Sequence, residues 1–230
     1  MIDFELKNID LEDIEDLLLK VEKSFDIKFG NAELIHITTF GELCDYIANK
    51  IQLDHSNDCT TQQAFYKLRN AISSKFKIDS KNISTEFPLI DILPRQNRRT
   101  MTKELERFLR VKLNILRPPH WVTITFFILL LASFVKLFFV WQIGLLGLAI
   151  SIGGLRLADK QGNELDVQTV GQVAAKMTRE NYLKSRRNSK TINKNEIEKV
   201  LTDLFSNELG LDKSKLTREA KLKDDKNGCC

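Results

Sequence analysis

The sequence predicts an all-α protein in which small helical bundles accompany a two-span transmembrane hairpin. Three observations lead to this prediction: one long apolar run, apolar residues at helical spacing on both sides of it, and a helix-and-loop pattern that occurs twice. The run extends from Trp121 to Leu157 and carries only two charges, Lys136 and Arg156. Its length is typical of membrane-embedded helices, and the polar sequence on both sides distinguishes it from a cleaved signal peptide.

The apolar run is long enough for two crossings, since one crossing needs only ~20 residues. A single long helix would place Lys136 near the bilayer centre, at a cost of roughly 3 kcal/mol. A hairpin over residues 119–158 places Lys136 and Trp141 near its tip, where an ammonium group and an indole reach the head groups. One tilted helix, or a hairpin buried in a soluble core, are the alternatives. Four glycines would let the two arms approach closely: Gly144, Gly147, Gly153 and Gly154.

Basic residues flank the run on both sides. The positive-inside tendency therefore places both flanks and both termini in the cytoplasm, which requires an even number of crossings. The predicted localisation is a multi-pass membrane protein. The candidate membrane-surface residues, which would attract anionic lipid, are Arg99, Arg107, Arg110, Arg117, Arg186 and Arg187.

Composition argues against several classes of function. The 230 residues have a formal net charge of +4, too small and too mixed to indicate nucleic-acid binding. No phosphate-binding glycine loop, nucleophile elbow or paired-carboxylate motif is present. The cysteines lack disulfide and metal spacing, and Cys44 reads as a small core residue. The terminal Cys229-Cys230 is either a double-cysteine prenylation tail or incidental. We therefore expect no enzyme, no metal and no cofactor.

The N-terminal residues 1–56 form a helical piece. The segments VEKSFDIKF and ITTFGELCDYIANKI resemble helices two to four of an acyl carrier protein. In that family, a serine at the start of the second helix carries 4'-phosphopantetheine. Alignment on Glu22 and Phe25 places this serine at Leu11, which has no hydroxyl group. The resemblance implies a carrier-like bundle without its prosthetic group.

Acidic residues follow this position, as they do in the family, where they meet basic partner enzymes. The candidate partner-binding residues are Glu12, Asp13, Glu15 and Asp16. The alternative is that they only complement the positive end of a helix.

The family's first helix and following loop occur twice. AFYKLRNAISSKFKIDSKNISTEFPL resembles them, and IEKVLTDLFSNELGLDKSKLTREAKL repeats the pattern 133 residues later. LERFLRVKL and LDVQTVGQVAAKM then resemble the end of helix two and the last helix. A middle bundle thus comprises residues 60–115 and 160–180, split by the hairpin. Its serine position falls near Arg95, again without a nucleophile.

Each end of the chain holds only part of a bundle. Residues 1–56 lack the first helix, and residues 196–230 contain a first helix and tail, after a basic linker at 181–195. We expect the two ends to complete one bundle, either within one chain, as a circular permutation, or through self-association of the termini. Alternatively, the C-terminal helix lies on the membrane or on another protein.

The resemblance implies a non-catalytic, membrane-anchored, acyl-carrier-like scaffold. It would hold a protein partner at the cytoplasmic face, and family analogy suggests an enzyme of acyl or lipid metabolism. One alternative is a working acyl carrier, tethered to the membrane, with an unrecognised phosphopantetheine attachment site. Another is an enzyme or transporter, for which the lone intramembrane group Lys136 makes a poor relay.

Overall fold

A computed structural model describes residues 11–30 and 33–222 of the chain. The described part is mostly helical, so the coarse prediction of a helical protein is confirmed. Its α-helices are α1 Leu11–Phe25, α2 Phe40–Lys50, α3 Thr60–Phe76, α4 Leu89–Ile92, α5 Arg98–Leu109, α6 His120–Leu137, α7 Trp141–Gln161, α8 Val170–Glu180, α9 Tyr182–Ser185 and α10 Lys194–Leu209. Its two-residue strands are β1 Asp54–His55, β2 Leu116–Arg117, β3 Glu164–Leu165 and β4 Thr191–Ile192.

The chain divides into two compact units. The first, which we name the terminal unit, comprises Met1–Asn70 and Ala174–Cys230. The second, the hairpin unit, comprises Ala71–Val173. The boundaries fall within α3 and α8.

The two ends of the chain share one hydrophobic core in the terminal unit. Apolar side chains of α1 and α2 are buried in the same cluster as those of α10. The ring of Phe40 meets that of Phe205 edge to face, with centroids 5.0 Å apart, and both are fully buried. Since a lone amphipathic helix would leave its apolar face in water, this packing stabilises both ends. The ends therefore complete one bundle within a single chain.

The N-terminus of α2 is also held by the C-terminal loop. Thr39 and Glu42 form a capping box, in which the threonine hydroxyl accepts from the N–H of Glu42 and the glutamate accepts from that of Thr39. Just beyond it, the N–H of Gly41 donates to the carbonyl oxygen of Arg218 at 2.8 Å. A Cβ atom at Gly41 would lie 2.8 Å from that oxygen, so the close approach requires glycine.

The hairpin unit repeats this contact between the loop before α4 and the start of α8. The N–H of Gly171 donates to the carbonyl oxygen of Thr85 at 2.8 Å, and a Cβ there would lie 2.9 Å from the oxygen. Positions 85 and 218 differ by 133, the offset of the sequence repeat. The neighbouring backbone pairs of the two units correspond as well. The Phe40–Ala220 hydrogen bond matches Val170–Phe87, and the Leu222–Thr38 hydrogen bond matches Leu89–Gln168. The bridge Thr39–Lys221 matches the bridge Thr169–Pro88.

A second repeated feature closes α1 and α5. The Glu22 carboxylate accepts from the N–H of Phe29 at 2.6 Å, and the Glu106 carboxylate accepts from that of Leu113 at 2.9 Å. Each helix is followed by a left-handed residue, Asp26 with φ 53° and Arg110 with φ 57°. The match between VEKSFDIKF and LERFLRVKL is therefore structural. One local pattern occurs in both units.

Residues 181–195, predicted to be a basic linker, are instead ordered and partly buried. They contain α9 and β4, and β4 pairs in parallel with β1. Tyr182 is fully buried and stacks on Phe25, with ring centroids 5.0 Å apart. Arg186 donates to the hydroxyl of Thr60 at 2.6 Å and to the carbonyl oxygen of Asp58 at 3.2 Å. The polar sequence predicted a linker because its buried residues, most of them polar, show no apolar periodicity.

Candidate functional site

The hairpin formed by α6 and α7 is the most distinctive feature of the hairpin unit. Both helices are long and apolar enough to cross a membrane; most of their large apolar side chains are exposed and none is buried. This exposure argues against a hairpin buried in a soluble core. The helices break where the sequence predicted the tip: Lys136 lies in the last turn of α6, and Trp141 begins α7.

Small residues bring the two arms together, as predicted for three of the four glycines. A Cβ atom at Gly147 would lie 2.2 Å from the hydroxyl oxygen of Ser133, and one at Gly154 would lie 2.1 Å from the Phe126 ring. Gly144 is similarly close to α6. Gly153 has no neighbour within 4 Å and takes no part in this packing. Close packing of small residues is how helices associate where lipid surrounds them.

The base of the hairpin is closed by paired strands. β2 precedes α6 and β3 follows α7, and they pair antiparallel with Arg117 opposite Glu164. A Cβ atom at Gly162 would lie 2.5 Å from the carbonyl carbon of Arg117, so the segment entering α6 and the segment leaving α7 lie against each other. The two flanks therefore leave the hairpin at the same end.

The start of α5 is attached to this base. Arg98 donates from Nη1 to the carbonyl oxygen of Asn163 at 2.6 Å, and the amide of Asn163 donates to the carbonyl oxygen of Arg95 at 2.8 Å. Arg99 donates to the carbonyl oxygen of Lys160 at 2.5 Å. Arg98 is 5% exposed, and its pKa is lowered by burial and by the charge of Arg95. No local pattern in the sequence indicates these contacts, because Asn163 is more than 60 residues from Arg95 and Arg98.

The predicted membrane-surface arginines differ in exposure. Arg107, Arg110 and Arg187 are exposed, whereas Arg99 and Arg117 are half-buried. The prediction is corrected for Arg186, which is 1% exposed because neutral oxygen atoms of the terminal unit surround its guanidinium group. Such a group does not reach a membrane surface.

The two positions that the acyl-carrier resemblance would align with the carrier serine, Leu11 and the neighbourhood of Arg95, hold no serine. Leu11 is the first residue of α1, and Arg95 is an exposed residue before α5. Of the predicted acidic patch, Asp13, Glu15 and Asp16 are exposed on α1, and the side chain of Glu12 lies outside the described part. Burial raises the pKa of the Cys44 thiol to about 12, which makes it a poor nucleophile and agrees with a core residue. Among residues 11–30 and 33–222, no His, Cys, Asp or Glu cluster could hold a metal ion.

A groove of about 930 Å³ in the terminal unit was not anticipated from the sequence. Its walls combine apolar side chains with five lysines, Lys23, Lys28, Lys50, Lys184 and Lys190. Two acids, Glu22 and Asp26, also line it, and Lys28 pairs with Glu22. The lysines come from three distant segments, which is why no sequence pattern revealed the groove.

Comparison with protein-family models, curated proteins and solved structures finds no match for this chain.

Proposed function

We propose that this chain is a non-catalytic, membrane-anchored binding protein. The hairpin would insert into the bilayer, and the helical units would hold a protein partner at the membrane surface. The observation that carries the proposal is the hairpin itself, two apolar helices with exposed side chains and a base closed by β2 and β3. In water, such a surface would be strongly unfavourable, and lipid is the solvent that it fits.

The closed base supports the proposed topology. Both flanks leave the hairpin at one end, and both are rich in arginine and lysine. If the hairpin spans the bilayer, the flanks and both chain termini lie on one side, and the positive-inside tendency favours the cytoplasm. The all-apolar turn of Phe138, Phe139 and Val140 would stay at the far interface, beside Lys136 and Trp141.

The partner-holding part of the proposal is supported by the two helical units. The acyl-carrier-like resemblance favours a bundle that presents helix faces to another protein, and the positions of Leu11 and Arg95 argue against a tethered prosthetic group. The acidic residues of α1 and the lysine-lined groove are the two surfaces best suited to a partner. An enzyme of acyl or lipid metabolism is the partner that the resemblance suggests.

Protease protection in sealed inside-out vesicles tests the anchoring. We expect the protein to resist alkaline extraction, and we expect protease to digest both the segment before residue 119 and the segment after residue 158 from the cytoplasmic face. Digestion from opposite faces would contradict the hairpin topology. Release by alkali would contradict membrane insertion.

Intact-mass measurement tests whether the protein is a working carrier. The chain is co-expressed with a phosphopantetheinyl transferase, with a functional acyl carrier protein as the positive control. We expect the control to gain one pantetheine arm and this chain to remain unmodified. The same gain on this chain would refute the binding-protein proposal in favour of the tethered carrier.

A further inference from the structure

We propose that the base of the hairpin binds the phosphate group of an anionic membrane lipid between Arg95, Arg99 and Arg117, beside the buried Arg98 that orients them. We name these four residues the basal arginine cluster. The inference rests on the proposed membrane anchoring and specifies which lipid chemistry the anchored protein selects.

Contacts within the hairpin unit connect the members of this cluster. The backbone carbonyl oxygen of Asn163 accepts from the Arg98 guanidinium group, and the side-chain amide of Asn163 donates to the backbone carbonyl oxygen of Arg95. Arg117 lies opposite Glu164, the residue after Asn163, in the paired strands. Arg99 is held to the end of α7 through Lys160. Four guanidinium-bearing residues from α5, its preceding turn and β2 thus meet around one short segment, residues 160–164.

The start of α5 lacks the negative charge that normally stabilises a helix N-terminus. Its N-cap residue, Asn97, makes no side-chain capping hydrogen bond, and no acidic residue occupies the first turn. Arginines occupy the first two helical positions instead, where the helix dipole already favours anions. Residues 159–166 hold three acidic residues, Asp159, Glu164 and Asp166, against the four arginines of the cluster and Lys160. A bound anion would relieve this excess of positive charge.

The arginines that form hydrogen bonds at the base do so with backbone carbonyl oxygens. Arg98 donates to the carbonyl oxygens of Leu93 and Asn163, and Arg99 donates to that of Lys160. These bonds orient the side chains without neutralising them. Arginine binds phosphate through parallel N–H···O bonds, and a pre-oriented guanidinium group loses less entropy when it does so.

The position of the cluster along the hairpin selects a lipid over a soluble phosphate. α6 begins at His120, three residues after Arg117, and α7 ends at Gln161. Helices of 18 and 21 residues are about 27 and 32 Å long, close to the ~30 Å of a hydrocarbon core. An inserted hairpin therefore has its base at the depth of the head groups, where lipid phosphates are concentrated and free phosphate is not.

Lipid titration of the full-length protein in nanodiscs tests the inference. The protein is reconstituted into phosphatidylcholine discs with increasing fractions of phosphatidylglycerol, and native mass spectrometry measures the lipid that it retains after release. The test variant carries Arg95→Gln and Arg99→Gln. The matched control carries Lys77→Gln and Lys81→Gln, which remove the same charge from exposed positions of the hairpin unit outside the candidate membrane surface. Unfolding temperatures of both variants verify that they are folded.

We expect the wild type to retain phosphatidylglycerol in preference to phosphatidylcholine. The test variant should bind phosphatidylglycerol about twenty- to thirtyfold more weakly, because each of the two removed cations contributes about 1 kcal/mol near the surface. The affinity of the control for phosphatidylglycerol should fall by less than about threefold. Equal losses in the two variants would reduce the site to general surface charge and overturn the inference. So would displacement of the lipid by millimolar inorganic phosphate, or equal retention of the two lipids. A wild-type protein that fails to enter phosphatidylcholine discs would instead refute the membrane anchoring on which the site depends.

Discussion

Replacing Phe205 with alanine tests the joining of the two chain ends more directly than any other change. Phe205 lies on α10, is fully buried, and packs edge to face on Phe40 at the start of α2. The two residues are far apart in the sequence and belong to opposite ends of the chain. The effect of the substitution on α2 therefore reports the tertiary contact alone.

The expected cost is about 4 kcal/mol in the free energy of unfolding of the terminal unit. Removing a fully buried phenylalanine side chain costs about 3–5 kcal/mol, and the edge-to-face pair contributes about 0.5–1.5 kcal/mol beyond its buried area. These figures overlap, so we do not add them. A loss of 4 kcal/mol is a large part of the 5–15 kcal/mol typical of a folded domain. The milder Phe205→Leu variant keeps the unit folded if the alanine variant does not.

Hydrogen exchange measured peptide by peptide is the assay. If α1, α2 and α10 open together, exchange protection across residues 40–50 should fall by about a thousandfold, the factor that corresponds to 4 kcal/mol. Phe108→Ala is the matched control. Phe108 is half exposed in the hairpin unit, so the same chemical change should cost less than about 1 kcal/mol and leave α2 unaffected. A loss of protection confined to residues 194–209 would refute the shared core.

Three further predictions concern backbone packing, a buried cation and acid stability. Alanine at Gly41 or Gly171 should each lower the stability of its own unit by about 2 kcal/mol in urea unfolding, because the added Cβ would lie under 3 Å from the facing carbonyl oxygen. Arg186→Met should cost about 3 kcal/mol by thermal unfolding, since it leaves several buried oxygens unpaired, whereas Arg187→Met on the exposed neighbour should change stability by less than about 0.5 kcal/mol. Hydrogen bonds from Lys50 and Tyr46 lower the pKa of Glu33 to about 2. The contribution of this carboxylate to folding stability is therefore complete above about pH 4.5 and is lost as the pH falls towards 2. Glu33→Gln should flatten urea-unfolding stability over that pH range, and an unchanged slope would contradict the assignment.

The predicted elements succeeded where a local cause determines the structure. The break between Lys136 and Trp141 and the helix-and-loop pattern within each copy of the repeat depend on residues that are near one another in the chain. Gly153 was less predictable, because whether a glycine faces the other arm depends on how the two helices are rotated. The same limit applies to the candidate sites, where exposure could not be assigned residue by residue.

By itself, the sequence determined the local pattern of the helices: the long apolar run, its division into two arms, and the helix-and-loop motif that occurs twice. These features follow from side-chain periodicity and capping, which act over a few residues. Only the tertiary structure decided that the chain ends, expected to complete one bundle, do so within one chain. It also decided that Arg186 is buried while Arg187 is exposed, and that Arg95, Arg98 and Asn163 meet at the hairpin base. The reason is that these facts depend on which distant surfaces pack together, and neither composition nor spacing specifies that choice.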